Sequence, residues 1–228
     1  MKIAVIQHLL RDDLEADIGA LVEAVDTACS RGASVVVCPA IPSVLADPET
    51  ARAAILGRLA GCPEGTALLI PFRPPSAAVE SHVKSTPLGD TALLVGDECI
   101  EPLVTKKLVA APPAAIVMRP LCESDLQVEA VLEHALSLSV SVSGLVVVAE
   151  CVGAEPPDPG HGGSAIVYLG EVLAEALGTG DVLTADVSVP VADPEPREQL
   201  SELPPILEQR IAHHQGRKPE VGYLADLS

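Results

Sequence analysis

An α/β fold with strands buried on both faces is what this sequence predicts, and three observations carry the expectation. Short, almost uninterrupted apolar runs rich in valine and isoleucine recur along the chain at residues 2–6, 34–38 and 144–149. Between them, apolar residues return at helical spacing. Hydrophobic residues make up 48% of the 228, yet Phe, Tyr and Trp together number three. The core must therefore be Val, Leu, Ile and Ala, which suits strands covered by helices better than an aromatic-rich sandwich.

Taken in order, residues 2–6 (KIAVI) read as a buried first strand. Asp12 or Asp13 caps a helix with Leu14, Ile18, Leu21, Val22 and Val25 on one face, and Arg31-Gly32 closes it, the glycine left-handed. Residues 34–38 then run parallel to the first strand, completing a βαβ unit. Pro39 cannot join a sheet ladder, so the strand ends there and Ala40 opens the loop where α/β proteins place their chemistry. Its methyl group carries none.

Residues 47–59 form a helix capped by Asp47 with Pro48 in its first turn, and residues 66–72 a third strand. Residues 91–95 are strand-like, Gly96-Asp97-Glu98 a turn, and residues 99–108 an antiparallel return strand. Residues 115–118 are a short buried strand, 124–136 a helix with a Ser/Asp start, and 144–149 another buried strand. A Gly- and Pro-rich loop at 153–163 leads into a second hairpin, 164–168 and 172–176, turning at Leu169-Gly170-Glu171. A last strand at 182–187 precedes a proline- and charge-rich tail with a helix around 205–213.

Charge and cysteine usage narrow the function. The net charge of −18 repels nucleic acid and anionic membrane surfaces, so neither is expected as a partner. Six scattered cysteines without a Cys-x-x-Cys pair build no zinc site, and neither metal nor cofactor is expected. Residues 1–10 lack the form of a secretion signal and no apolar run is long enough to span a membrane, so a reduced, cytoplasmic protein is expected.

Several segments together resemble the nitrilase (carbon–nitrogen hydrolase) superfamily. They are residues 2–7, Arg31-Gly32-Ala33 followed by 35–40, the 90–95 strand, 104–108 (VTKKL), 146–153 (VVVAECVG), 162–167 with 170–176, and 203–210 (LPPILEQR). The resemblance covers residues 1–212 as one domain, leaving 213–228 as a tail. It implies a four-layer α-β-β-α sandwich, shortened in its loops. It also implies association as a homodimer or hetero-complex through the sandwich faces, and a small amide or carboxylate ligand.

The family's chemistry uses a Glu base, a Lys and a Cys nucleophile. Here the Glu position is Ala40, and the nearest acids, Asp47 and Glu49, start a helix. The Lys position matches Lys107, beside Lys106, on the expected return strand. The Cys position, at the end of the 115–118 strand, holds Arg119, with Cys122 three residues on. Two functions follow from the resemblance. The first is a non-catalytic binding or assembly protein with an eroded triad. The second is a divergent amidase using Cys122 and Lys107 with a base relocated to Glu49, Glu64, Glu80 or Glu150.

Other chemistry-bearing residues read more plainly. Cys38 belongs to the core, and Cys151 sits near a strand end where solvent can reach it. His161 lies on a loop, and His213-His214 is a weak metal pair without carboxylates at ligand spacing. Gly162-Gly163 is no phosphate loop, because a strand rather than a helix follows.

Overall fold

A computed structural model describes residues 1–11, 14–39, 66–69, 83–120, 122, 124–153, 160–177 and 180–188. The helices expected at 47–59 and 205–213, and the domain boundary at residue 212, lie outside the described residues.

The first strand, β1 (Lys2–Leu9), explains the architecture through its alternation. Ile3 and Val5 point to one face, where they join a core shared with a second sheet, while Ala4 and Ile6 pack on the other face. That other face is covered by α1 (Leu14–Ser30), whose Leu21, Val25 and Ala28 are buried against it. Gly32 takes the left-handed conformation (φ +78°) that ends the helix, as expected. The Arg31 guanidinium donates to the Val182 carbonyl and ties the end of the helix to the sheet.

Beside β1 lie β2 (Val35–Val37) and β3 (Ala67–Leu69), both parallel. A second group begins with the hairpin β4 (Val83–Thr86) and β5 (Gly89–Val95). It continues with β6 (Ala115–Arg119) and β7 (Leu145–Val148), parallel to β5. A short β8 (Cys151–Gly153) pairs with both β1 and β9 (Gly160–Tyr168), joining the two groups into one curled sheet. β10 (Glu171–Leu177) pairs with β9, and β11 (Asp181–Asp186) runs antiparallel to β1.

Three core clusters give the layers. One lies between α1 and β1–β2. A second, with Ile3, Val35, Val117, Val147 and Ile166, fills the space between the two sheet groups. The third packs Ile116, Met118, Val146 and Val148 under two helices, α2 (Pro102–Ala110) and α3 (Asp125–Ser141). The order is helix, sheet, sheet, helix, which is the four-layer sandwich the resemblance implied.

The expected return strand is overturned. Residues 99–108 are not a return strand: a 3-10 turn at Gly96–Cys99 leads into α2, and the strand paired antiparallel with β5 is β4, which precedes it. The reason is Pro102. At the first turn of a helix its missing N–H costs nothing, whereas inside a strand it removes a ladder bond. Val104 and Leu108 then fall one turn apart on the buried side, and the Thr105 hydroxyl donates to the Glu101 carbonyl.

α3 starts as expected. Ser124 caps it, its Oγ accepting from the Gln127 N–H at 3.3 Å. The β9–β10 hairpin closes on a two-residue turn with both residues left-handed, Leu169 (φ +50°) and Gly170 (φ +85°), the geometry that matches strand twist.

Candidate functional site

Where β6 and β7 end, strands bring together polar side chains that the apolar core does not explain. Arg119 is the last residue of β6, and Glu150 is the second residue past the end of β7; both are buried. Gln7 and His8, towards the end of β1, and Ser164 on β9 are buried beside them. Burying so many polar groups at one place is unfavourable unless each is satisfied, and the network shows how that is done.

The Ser164 N–H donates to Gln7 Oε1 at 2.8 Å. The Glu150 N–H donates to Ser164 Oγ at 3.0 Å, and that hydroxyl donates back to the Glu150 carbonyl at 3.3 Å. β1, β9 and the β7–β8 junction are thereby locked at one point. On the α1 side, His8 Nε2 lies 2.7 Å from Asp17 Oδ1, which also accepts from the Arg11 N–H at 2.8 Å.

Burial lowers the His8 pKa from its ordinary value, against the opposing pull of the Asp17 carboxylate. His8 is therefore neutral in the fold through a range where the unfolded chain already takes up its proton. The folded pKa being depressed, the stability it gives is full above about pH 6.5 and is lost as pH falls below that. Between pH 7.5 and 5.5 the urea midpoint of the protein is expected to fall, while that of His8→Gln falls less. The slope assignable to His8 is at most about 1.4 kcal/mol per pH unit, one proton's worth. Identical slopes for the two proteins remove His8 from this role.

The charge of Glu150 reaches three thiols. Burial is the first cause that raises each of Cys99, Cys122 and Cys151, and the negative charge of Glu150 adds to it in every case. Cys122, 4% exposed, is pushed up to about 12. Cys99 receives a hydrogen bond from the Arg119 backbone, and the Arg119 charge partly offsets the rise at Cys151. Chemically the arrangement keeps its thiols protonated and places a carboxylate among them.

The residues expected from the sequence are brought together only in part. Cys122 feels the charge of Glu150, while Arg119 ends β6 and acts on Cys99 and Cys151. Lys107 is on α2, not on a strand, and both it and Lys106 are exposed. Cys151 is buried rather than open to solvent, and Cys38 is core, as expected. His161 lies on β9 and not on a loop, paired with Val152 of β8, and its Nδ1 is 3.0 Å from Asp125 Oδ1. Ala40, Asp47, Glu49, Glu64, Glu80, His213 and His214 lie outside the described residues. Cys29 is disulfide-bonded to a partner outside them, so the expectation of fully reduced thiols does not hold. Among the described residues no three His, Cys, Asp or Glu side chains are grouped to hold a metal ion, and no helix is long and apolar enough to cross a membrane.

Among solved structures, the chain is similar to an amidase. A variant of the amidase from Nesterenkonia sp. AN1 in complex with butyramide superposes with a TM-score of 0.64 at 18% identity, over 82% of this chain and 90% of that one. Another variant of that enzyme, described as from the nitrilase superfamily, gives a TM-score of 0.60 at 18% identity over 94% and 95%. The chain has the nitrilase-superfamily fold. A third variant, in which acrylamide has added to the active-site cysteine, gives 0.60 at 17% identity over 82% and 93%. No protein-family model matches the sequence, and no curated protein does. The nitrilase fold thus holds over most of the chain at a sequence distance where site residues must be argued one by one.

Gln7 and His8 are the site residues that sequence reasoning passed over. The signal was present: β1 continues as a buried strand through both, and a polar residue inside a buried run needs a dedicated partner.

Proposed function

We propose that this nitrilase-like chain is a non-catalytic binding or assembly protein. The observation that carries the reading is the state of Cys122. A nucleophilic cysteine needs a lowered pKa and a nearby cation, whereas this thiol is buried, raised to about 12 and set beside a carboxylate. The strand-end position before it is an arginine, which cannot attack a carbonyl. Lys107 stands exposed on an outer helix. Losing members of a catalytic set that acts as a unit removes most of its rate enhancement.

Purified protein incubated with short aliphatic amides, nitriles and N-carbamoyl compounds is expected to give no turnover. Hydrolysis abolished by thiol alkylation overturns the reading.

One observation favours the alternative of a cysteine-dependent amidase: the Glu150 charge reaches Cys122, as a relocated base would. The two readings separate on thiol reactivity. With its pKa near 12, Cys122 is expected to react with iodoacetamide at pH 8 about 10³-fold more slowly than a free cysteine. Peptide-resolved mass spectrometry measures this. Preferential fast labelling of Cys122 supports the amidase instead.

A further inference from the structure

Of the six cysteines, Cys38, Cys99, Cys122 and Cys151 are thiols and Cys29 is disulfide-bonded, which leaves Cys62 as its partner. The described chain brings this pairing within reach. Cys29 lies in the last turn of α1, and the backbone turns straight after it. There the Gly32 N–H donates to the Cys29 carbonyl at 2.9 Å and the Ala33 N–H to the Ala28 carbonyl at 3.1 Å. Four residues after Cys62, the chain is back at the same corner. The Thr66 hydroxyl donates to the Ala33 carbonyl at 3.2 Å, and the Ala67 N–H to the Ser34 carbonyl at 3.0 Å. Four residues span up to roughly 14 Å, enough to bring residue 62 within the roughly 4.4–6.8 Å Cα separation of a disulfide.

The other four cysteines are kept out of exchange. Burial raises the pKa of each, and the Glu150 charge adds to it at Cys99, Cys122 and Cys151. A buried, protonated thiol is a poor attacker of a disulfide and a poor target for oxidants. Redox chemistry in this chain is thereby confined to one pair, and the remaining thiols do not scramble it.

What the bond holds is the corner where α1 hands over to β2. Its ring runs through residues 30–61 and so encloses β2, which pairs with both β1 and β3. Towards its other end α1 reaches the buried site, where Asp17 Oδ1 lies 2.7 Å from His8 Nε2. A cross-link over a loop of this length stabilises mainly by restricting the unfolded chain.

We infer that Cys29 and Cys62 form a reversible redox site, opened by a dithiol reductant, and that opening it loosens the α1–β2 corner. The reductant's thiolate attacks one sulfur of the bridge and forms a mixed disulfide, while the other cysteine leaves as a thiolate and takes up a proton. The reductant's second thiol, as its thiolate, then displaces the remaining cysteine. Two electrons and two protons pass to the protein, and the reductant departs as a disulfide. This site stands apart from the question of amide turnover.

Thiol counting and thermal unfolding of the full chain test it, with glutathione and dithiothreitol as the redox buffers. After equilibration with oxidised glutathione the unfolded chain is expected to show four thiols, and after dithiothreitol six. Mass spectrometry of a non-reduced digest is expected to find the Cys29 peptide joined to the Cys62 peptide. Native dithiothreitol treatment is expected to lower the thermal midpoint by about 5–15 °C, and removing it in oxidised buffer to restore the midpoint. Cys62→Ser and Cys29→Ala are expected to match the reduced protein and to ignore reductant. Because Cys29 is buried, reduction of the unmutated chain is the decisive comparison. Amides in the last turn of α1 and in β2 are expected to exchange hydrogen faster on reduction, while those of β6 and β7 hold. Six thiols under oxidising conditions, or a bridge to any other cysteine, overturns the pairing. A bridge that dithiothreitol leaves closed in the native protein overturns the redox role. So does an opening that changes neither the thermal midpoint nor exchange in α1.

Discussion

Gly163→Ala is expected to destabilise the protein by about 3–5 kcal/mol, seen as a drop in the urea midpoint with the slope unchanged. Two independent penalties combine at this position. Gly163 has φ +86°, a conformation that L-residues rarely adopt. A methyl group there would also lie 2.3 Å from Val128 Cγ1, well inside contact distance. Val128 is buried on α3, and a β-branched side chain on a helix has one preferred rotamer, so it cannot swing aside.

The double variant with Val128→Ala separates the two terms. It relieves the collision but keeps the backbone strain, about 1–2 kcal/mol, and opens a small cavity. It is expected to be less stable than the parent, yet by less than the two single changes add up to. A Gly163→Ala protein within about 1 kcal/mol of the parent would mean that β9 and α3 do not approach as closely as described. The preceding Gly162, also left-handed at φ +75°, has its nearest neighbours at 3.0 Å or more, so Gly162→Ala is expected to cost less.

These glycines show what was legible in the sequence and what was not. Gly162-Gly163 stood out only as a pair that is no phosphate loop. Their role depends on Val128, far away in sequence, and no local pattern reports that approach. Buried strands were legible because an unbroken valine run has few alternatives to burial. The 115–118 and 144–149 runs, and the 182–187 strand, fall within a residue or two of β6, β7 and β11.

The return strand was misread because Val104, Thr105 and Leu108 satisfy a strand reading about as well as a helical one. Pro102 was the arbiter, and its weight belongs at a helix start. With that correction the lysine pair moves from a sheet to the outer surface. Of the candidate site, the strand-end residues Arg119 and Cys122 were found from the resemblance. The thiol's environment was not, since it is set by Glu150 arriving from a different strand.

Gln7→Ala is expected to cost about 3 kcal/mol and to loosen the site rather than only the core. Gln7 is buried, and its Oε1 accepts the N–H of Ser164, itself fully buried on the facing strand. Removing the acceptor leaves that N–H unpaired, a penalty of about 1–3 kcal/mol, and the missing side chain leaves a void beside it. Gln7→Leu restores most of the volume without the acceptor, so it is expected to recover only the packing share. The difference between the two variants measures the hydrogen bond.

Because the Ser164 hydroxyl holds the backbone of Glu150 on both sides, freeing Ser164 also frees the residue whose charge raises the surrounding thiols. Cys122 and Cys151 are therefore expected to label faster with iodoacetamide in both Gln7 variants, under native conditions and in step with each other. Cys38, whose raised pKa comes from burial alone and not from Glu150, is expected to stay slow. Equal acceleration of all three would indicate global unfolding in place of a loosened site. Acceleration confined to these two thiols ties Gln7 to the Glu150 charge that raises them.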